Sequence, residues 1–265
     1  MKRIDLIPIK HSVKIGDICD FINPNVSEDS IFYLDDQPIG FFIKEVDGKL
    51  KEYLHIANTE FRSDRVPKQE MSRGPQGSKK DKLERQKSGV RLVTQYSTIL
   101  GSRTPKPHMR MNYASRSAVH SAPSAKNFVK AMLLACKESE KIIKKIMPEQ
   151  YEKQRKIIAD NVPEKYRFGE LFTSSISNYN ISAPFHRDAG NLIGCVNVIL
   201  TKRENATGGN LNVPDYGATI DQTNNSMLVY PAWQNLHGVT PISPRIKGGY
   251  RNSLIFYPLK GFKGL

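Results

Sequence analysis

Apolar residues recur at two different periods along this chain, and the change of period divides it. Residues 6–56 alternate apolar and polar positions in short runs, which predicts strands at 13–18, 30–34, 40–46 and 53–56. Asp35-Asp36-Gln37-Pro38 and Asp47-Gly48 interrupt these runs. The Asp-Gly pair is expected to close a hairpin between Phe41-Phe42-Ile43 and the strand around Tyr53. From 124 to 147 the period becomes helical: Phe128, Met132, Leu133, Cys136, Ile142, Ile143 and Ile146 share a face behind Ser124, which can cap. Pro148 opens a second helix to about residue 160. Lysines 126, 130, 137, 141, 144 and 145 fall mainly on the remaining face, which reads as solvated.

Beyond these helices the short period returns. Residues 172–181 form a polar alternating strand suited to a wet pocket, and 192–200 a buried strand with its turn at 202–209. Residues 215–221 lead to the apolar run Met227-Leu228-Val229-Tyr230, and an aromatic-rich strand closes the chain at 251–257.

Charge changes this picture. The 265 residues carry a formal net charge of +14, with a pI near 9.6, which favours a polyanionic partner such as nucleic acid. Residues 62–91 hold five Arg and five Lys against two Asp and two Glu, a net of +6, around Gly74-Pro75-Gln76-Gly77. Such an insertion can follow a phosphate backbone. Residues 90–120 mix cations, aromatics and prolines at 105 and 107, and are expected to form an extended loop. Arg103, Arg110 and Arg116, with Tyr113, suit a rim that holds phosphates and stacks on bases. No apolar run approaches the roughly 20 residues that span a bilayer, and no signal core follows Met1-Lys2-Arg3, so a soluble, intracellular protein is expected. The three cysteines, Cys19, Cys136 and Cys195, form no CxxC and read as buried thiols in a reducing compartment.

Candidate chemistry sits in the last third. On an extended segment His186 and Asp188 leave one face together. His237, after the apolar run ending at Tyr230, can complete a set of two imidazoles and one carboxylate, the ligand set of non-haem Fe(II) oxygenases. Arg251 and Ser253 share a face fourteen positions further on. A guanidinium fork beside a hydroxyl suits the distal carboxylate of a small dicarboxylic acid, which points to 2-oxoglutarate. Arg245 is the rival cation, being nearer His237 in sequence. His120 reads as structural.

The order His-X-Asp, His, Arg-X-Ser resembles the Fe(II)/2-oxoglutarate dioxygenases. His186-Arg187-Asp188-Ala189-Gly190-Asn191 is similar to the HRDxxN signature of the TET/JBP family, and Thr207-Gly208-Gly209-Asn210-Leu211 with Val213-Pro214 resembles the turn of its JBP branch and viral relatives. His237-Gly238-Val239-Thr240-Pro241 and the strand 251–257 resemble the family's distal-histidine and closing segments, so the likeness covers about residues 171–260.

The resemblance implies an α+β fold with a double-stranded β-helix, or jelly-roll, core. Residues 1–61 would be an N-terminal β extension, 62–120 a basic substrate-binding insertion and loop, 121–170 buttressing helices and 171–265 the catalytic core. It implies Fe(II) on His186, Asp188 and His237, 2-oxoglutarate on Arg251 and Ser253, and O₂ as second cosubstrate. The strand before His-X-Asp offers Asn178 and Tyr179 as polar cosubstrate contacts. The implied reaction is hydroxylation of the C5-methyl group of a pyrimidine in DNA, 5-methylcytosine or thymine, in a nucleotide that has left the stack. Asn191 matches the family's base-contacting position, and Trp233 can stack on a base or cap the core. The sequence departs from some TET members in having Pro258-Leu259 where they carry a base-contacting histidine. A protein or small-molecule hydroxylase, and a catalytically silent nucleic-acid binder, are the alternative readings.

Overall fold

The structure is a computed structural model that describes residues 1–70 and 94–264. Its strands, in chain order, are β1 (Lys2–Asp5), β2 (Ser30–Leu34), β3 (Gln37–Ile43), β4 (Gln69–Glu70), β5 (Tyr96–Arg103), β6 (Ser115–Arg116), β7 (Ser174–Tyr179), β8 (Ala183–His186) and β9 (Asn197–Glu204). They continue with β10 (Ala206–Gly208), β11 (Leu211–Val213), β12 (Ala218–Ile220), β13 (Ser226–Tyr230), β14 (His237–Val239), β15 (Ile242–Pro244) and β16 (Tyr250–Tyr257). The helices are α1 (Gly48–Arg62), α2 (Lys126–Ile146) and α3 (Pro148–Asn161).

Among the described residues a major sheet runs β1-β2-β3-β13-β9-β16-β7-β5-β4, and a minor sheet runs β12-β11-β14-β8. Strand alternation sorts the side chains between two cores. Val198, Leu200, Met227, Val229, Leu254 and Phe256 face the helices, where they meet Leu54, Phe61, Phe128 and Met132. The intervening Ile199, Leu228, Tyr230 and Ile255 face the minor sheet and pack with Leu211, Val213 and Ile220. The fold is α+β, with two facing sheets in a jelly-roll core and helices buttressing the outside of the larger one.

Helices α2 and α3 lie where the apolar period places them. The predicted strand at 53–56 and its hairpin are wrong: Asp47 precedes a helix, α1, that buries Leu50, Leu54, Ala57, Asn58 and Phe61. That face is helical in spacing. Asn58 ties α1 to β16, donating to Tyr250 Oη at 2.9 Å and accepting from Asn252 Nδ2 at 3.1 Å.

The predicted strand at 13–18 is an irregular strap instead. It lies along the edge of β8, where Gly16 N–H donates to Phe185 O at 2.8 Å and Phe185 N–H to Asp17 O at 2.9 Å. The loop expected across 90–120 contains β5, which pairs with β7 over Tyr96 to Gly101. The prolines lie after the strand has ended, and Pro107 opens a single 3₁₀ turn, Pro107–Met109. Of the basic insertion, residues 71–93 lie outside the described residues. Strand β9 starts later than expected and runs through the predicted turn to Glu204, reversing at Asn205 with a left-handed φ of 51°.

Candidate active site

β8 and β14 are antiparallel neighbours in the minor sheet, and His186 stands directly opposite His237 in their register. This pairing, and not sequence proximity, brings the imidazoles together, with ring centroids 4.3 Å apart. Asp188 follows the end of β8, with its Oδ1 3.6 Å from His186 Nε2. Ligand atoms of the three residues all lie within 4.8 Å of one another.

Each imidazole is oriented by the backbone. His186 Nδ1 lies 2.8 Å from Pro184 O, and His237 Nδ1 lies 2.9 Å from Asn235 O. A carbonyl can only accept, so both Nδ1 atoms carry the proton and both Nε2 atoms present a lone pair. Burial and the facing His186 ring push the His237 imidazole well below the usual histidine range, which keeps it in the neutral, ligating form. Tyr230 meets the His237 ring edge-on at 5.3 Å.

Behind this cluster runs a cavity of about 340 Å³ between the two sheets. Arg251 lines it too and is one of the largest fully buried side chains among the described residues. Its Nη1 donates to Ser253 Oγ at 3.3 Å and its Nη2 to Gln222 Oε1, while its Nε is buried without a partner. Burial, with Arg203 nearby, pushes the guanidinium down to about 9, so it is still charged at neutral pH. A buried cation without an anion is costly, and a carboxylate entering this cavity would supply one. The donor set therefore suits a divalent metal on His186, Asp188 and His237 and a carboxylate at the guanidinium of Arg251.

The Thr207-Gly208-Gly209 turn makes room for that side chain. Gly208 and Gly209 have left-handed φ values of 74° and 69°. A Cβ on Gly208 would lie 1.8 Å from Pro241 O, so neither the backbone conformation nor the space admits another residue. Arg203 braces the turn, donating to Gly208 O at 2.9 Å and to Asn210 Oδ1 at 3.0 Å, and pairs with Asp221 at 2.7 Å.

Residues 101–260 match the family model Tet_JBP, described as the oxygenase domain of the 2OGFeDO superfamily. The chain belongs to the Tet_JBP family. Fe(II) and 2-oxoglutarate are accordingly its cofactors. No curated protein sequence matches the chain. Among solved structures it is similar to NgTET1 in complex with 5mC DNA, with a TM-score of 0.58 at 13% identity over 99% of this chain and 84% of that one. It is also similar to OsALKBH1, with a TM-score of 0.41 at 11% identity over 83% of this chain and 98% of that one. A 2OG-Fe(II) oxygenase family protein from Burkholderia pseudomallei gives 0.36 at 10% identity, over 83% and 97% of the two chains.

Within this Tet_JBP domain the other sequence-predicted site residues divide. Asn178 and Asn191 line the cavity with Arg251 and Ser253. Tyr179 does not: one position from Asn178 on β7, it points to the opposite face and stacks on Tyr250 at 5.4 Å, in the helix-side core. Trp233 lines a separate cavity of about 290 Å³ with Gln150, Lys153 and Cys195, and not the cavity that holds His186, Asp188 and His237. Arg103 is half-buried near Tyr257, whose hydroxyl feels its charge. Arg110 is exposed in a left-handed turn, and Arg116 donates to Lys165 O at 2.7 Å and Arg167 O at 3.3 Å. Arg245 is exposed and does not line the cavity. His120 is structural, with Nδ1 accepting from Gly101 N–H at 3.3 Å.

Sequence reasoning missed four residues here. Asn197 donates from Nδ2 to Asp188 Oδ2 at 2.9 Å. Gln222 accepts from Arg251, while Tyr230 and Tyr257 line the cavity. Period-two spacing from Arg251 flags Tyr257, since residues 251, 253, 255 and 257 share one face. Nothing local distinguishes Asn197 or Gln222. Among the described residues no helix is long and apolar enough to cross a membrane.

Proposed function

We propose that this domain hydroxylates the C5-methyl group of a pyrimidine in DNA, with Fe(II) held by His186, Asp188 and His237 and the distal carboxylate of 2-oxoglutarate held by Arg251 and Ser253. The observation that carries the reading is the single cavity joining the His-Asp-His cluster to a buried arginine with an unpaired Nε. Bound together, iron, 2-oxoglutarate and O₂ supply an oxidant able to hydroxylate a methyl C–H bond, which no acid or base at neutral pH can deprotonate, and 2-oxoglutarate leaves as succinate and CO₂.

The chain's own groups do the rest. The two imidazoles and the carboxylate, with ligand atoms within 4.8 Å of one another, would hold the metal. Arg251 fixes the cosubstrate by charge and by its fork of donors. Ile176, Ile199, Ile255, Leu211 and Val239 line the cavity between them and keep water from the reacting centre. The formal charge of +14 supports a nucleic-acid substrate, as does the likeness to a TET protein solved with 5mC DNA. A base inside a duplex cannot bring its methyl group into an interior cavity, so the nucleotide leaves the stack at a cost of a few kcal/mol that pocket contacts offset.

The test is to incubate the iron-loaded protein with 2-oxoglutarate and DNA containing 5-methylcytosine, then digest to nucleosides for mass spectrometry. A hydroxymethylated pyrimidine is expected, and none with His186→Ala. Succinate release without any altered nucleoside would reassign the substrate to a protein or small molecule.

A further inference from the structure

We infer that Tyr113 takes the place of the target nucleotide in the DNA stack, and that the hairpin carrying it grips the flanking phosphates through Lys106 and Arg110. This rests on the proposed function and names the surface on which the duplex lies.

The cavity opens beside the metal ligands. The side chains of His186 and Asp188 are 39% and 33% exposed, whereas Arg251 and Ser253 are buried. A base therefore enters from the His186 and Asp188 side, and the duplex that supplies it lies across that opening. Gly190, two positions after Asp188, is exposed and lines the cavity. Lys260 N–H donates to Gly190 O at 2.9 Å and Leu259 bridges Asn191, so the segment after β16 frames the same side. A hairpin between β5 and β6 leans on this segment. Its strands pair Ser102 with Arg116 and Arg103 with Ser115, and a bridge joins Lys106 to Met111. Its tip turns through Pro107–Met109 and Arg110, which has a left-handed φ of 57°. The base of the hairpin is fixed. Arg116 donates to Lys165 O at 2.7 Å and Arg167 O at 3.3 Å, and Thr104 borders Gly261. Ala114 packs, like Leu192 and Leu259, against the cluster of Ile158, Val162 and Phe262. The hairpin thus stands at the opening of the cavity.

What the hairpin presents suits a duplex. Tyr113 is 84% exposed, the highest value for a large apolar side chain among the described residues, while Ala114 beside it packs inward. Folding alone favours burying such a ring. A nucleotide that leaves the stack opens a gap one base wide and orphans its partner, and an inserted apolar or aromatic side chain offsets the lost stacking. Tyr113 has the flat face that such a gap takes. Ile193, 72% exposed on the loop after Asn191, is the other exposed apolar residue on this side, but its branched stem offers no face on which a base can stack. Lys106 and Arg110 are exposed on the same hairpin. No Asp or Glu occurs between Glu84 and Glu138, so the hairpin offers a phosphate backbone cations and no carboxylates of its own.

The test measures binding without turnover, by fluorescence anisotropy, for the full chain loaded anaerobically with Fe(II) and 2-oxoglutarate. Two DNA probes carry one 5-methylcytosine in the same sequence, one as a duplex and the other as the single strand, which has no paired stack to refill. Tyr113→Ala is expected to weaken duplex binding roughly tenfold and single-strand binding by about twofold or less, with the dependence on salt unchanged. Tyr113→Phe keeps the ring and is expected to bind both probes like the wild type. Lys106→Ala and Arg110→Ala are each expected to lower the slope of log affinity against log salt by about one. All three side chains are exposed, so their replacement leaves the core intact. Wild-type affinity of Tyr113→Ala for the duplex, an equal loss on both probes, or a tenfold loss in Ile193→Ala instead would overturn the stacking role. Unchanged salt slopes in both cation variants would overturn the phosphate grip. Each of these results leaves the proposed function standing, whereas a wild-type protein that binds neither probe would remove the proposed function itself.

Discussion

A Cβ placed on Gly209 would lie 2.1 Å from Cδ of Arg251. The second glycine of Thr207-Gly208-Gly209 is thus the floor on which the guanidinium stem rests, and the turn and the arginine form one device. Gly209→Ala is expected to displace Arg251 and weaken 2-oxoglutarate binding at least tenfold, since the fork would no longer meet the carboxylate. The variant also carries the left-handed backbone penalty of about 1–2 kcal/mol. Gly248 has a φ of 86° and open space for 4 Å around the point where a Cβ would stand, which makes it the matched control. Gly248→Ala should lose similar stability and keep its affinity. Anaerobic calorimetric titration with 2-oxoglutarate, alongside thermal unfolding of both variants, checks the pair.

Replacing Arg251 by lysine retains charge and loses the fork. Arg251 reaches both Ser253 and Gln222 from one planar group, which an ammonium on a flexible stem cannot do. The expected outcome is a rise of at least tenfold in KM for 2-oxoglutarate, with a smaller fall in kcat because the metal ligands are untouched. A fall in kcat alone would argue that Arg251 acts on something other than cosubstrate binding.

Metal binding should be visible as stability. A ligand that binds only the folded state stabilises by RT ln(1 + [L]/Kd), about 2.7 kcal/mol at a hundredfold excess over Kd. Fe(II), handled anaerobically, is expected to raise the melting temperature of the wild-type protein, and a chelator to reverse the rise. His237→Ala should abolish the shift, because it removes one of the three ligand atoms that lie within 4.8 Å. An unchanged shift in that variant would place the metal elsewhere.

Much of this site was legible because its residue types are scarce and its spacing is short. His186 and Asp188, like Arg251 and Ser253, are pairs two apart on extended backbone, and period two forces them onto one face. What spacing cannot give is register. His186 and His237 meet because β8 and β14 pair opposite each other, a long-range fact with no local signature. Asn197 lies between Val196 and Val198 and reads as an interruption in an apolar strand, yet it faces the cavity while its neighbours pack in the helix-side core. Tyr179 was misplaced by a single position, the full difference between the two faces of a strand. In the fold, Asp47-Gly48 masked α1, whose buried residues at 50, 54, 57, 58 and 61 carry the helical period plainly. A strong two-residue turn signal overrode a longer and better one. Trp233 drew notice by being unique, and rarity says nothing about which cavity a side chain faces.

The last expectation concerns a buried acid remote from the metal. Glu140 on α2 is 5% exposed, and its Oε1 accepts from Glu170 N–H at 2.7 Å and Leu171 N–H at 2.9 Å, closing the loop that leads into β7. Burial is the main reason its carboxyl is raised to about 7; Glu170, itself bonded to the Tyr151 hydroxyl, adds to the shift, and the two backbone donors oppose it. The folded value lies above the unfolded one of about 4.3, so the fold favours the protonated acid. That contribution is fully present below pH 4 to 5 and is lost as pH rises through about 7. Glutamine keeps the acceptor oxygen and cannot ionise. Glu140→Gln should therefore match the wild type at acid pH and exceed it by roughly 3 kcal/mol above pH 8, an order-of-magnitude figure from about 1.4 kcal/mol per pH unit. Urea unfolding of both proteins between pH 5 and pH 8 measures the gap. A gap that stays constant across that range would show that Glu140 does not titrate there.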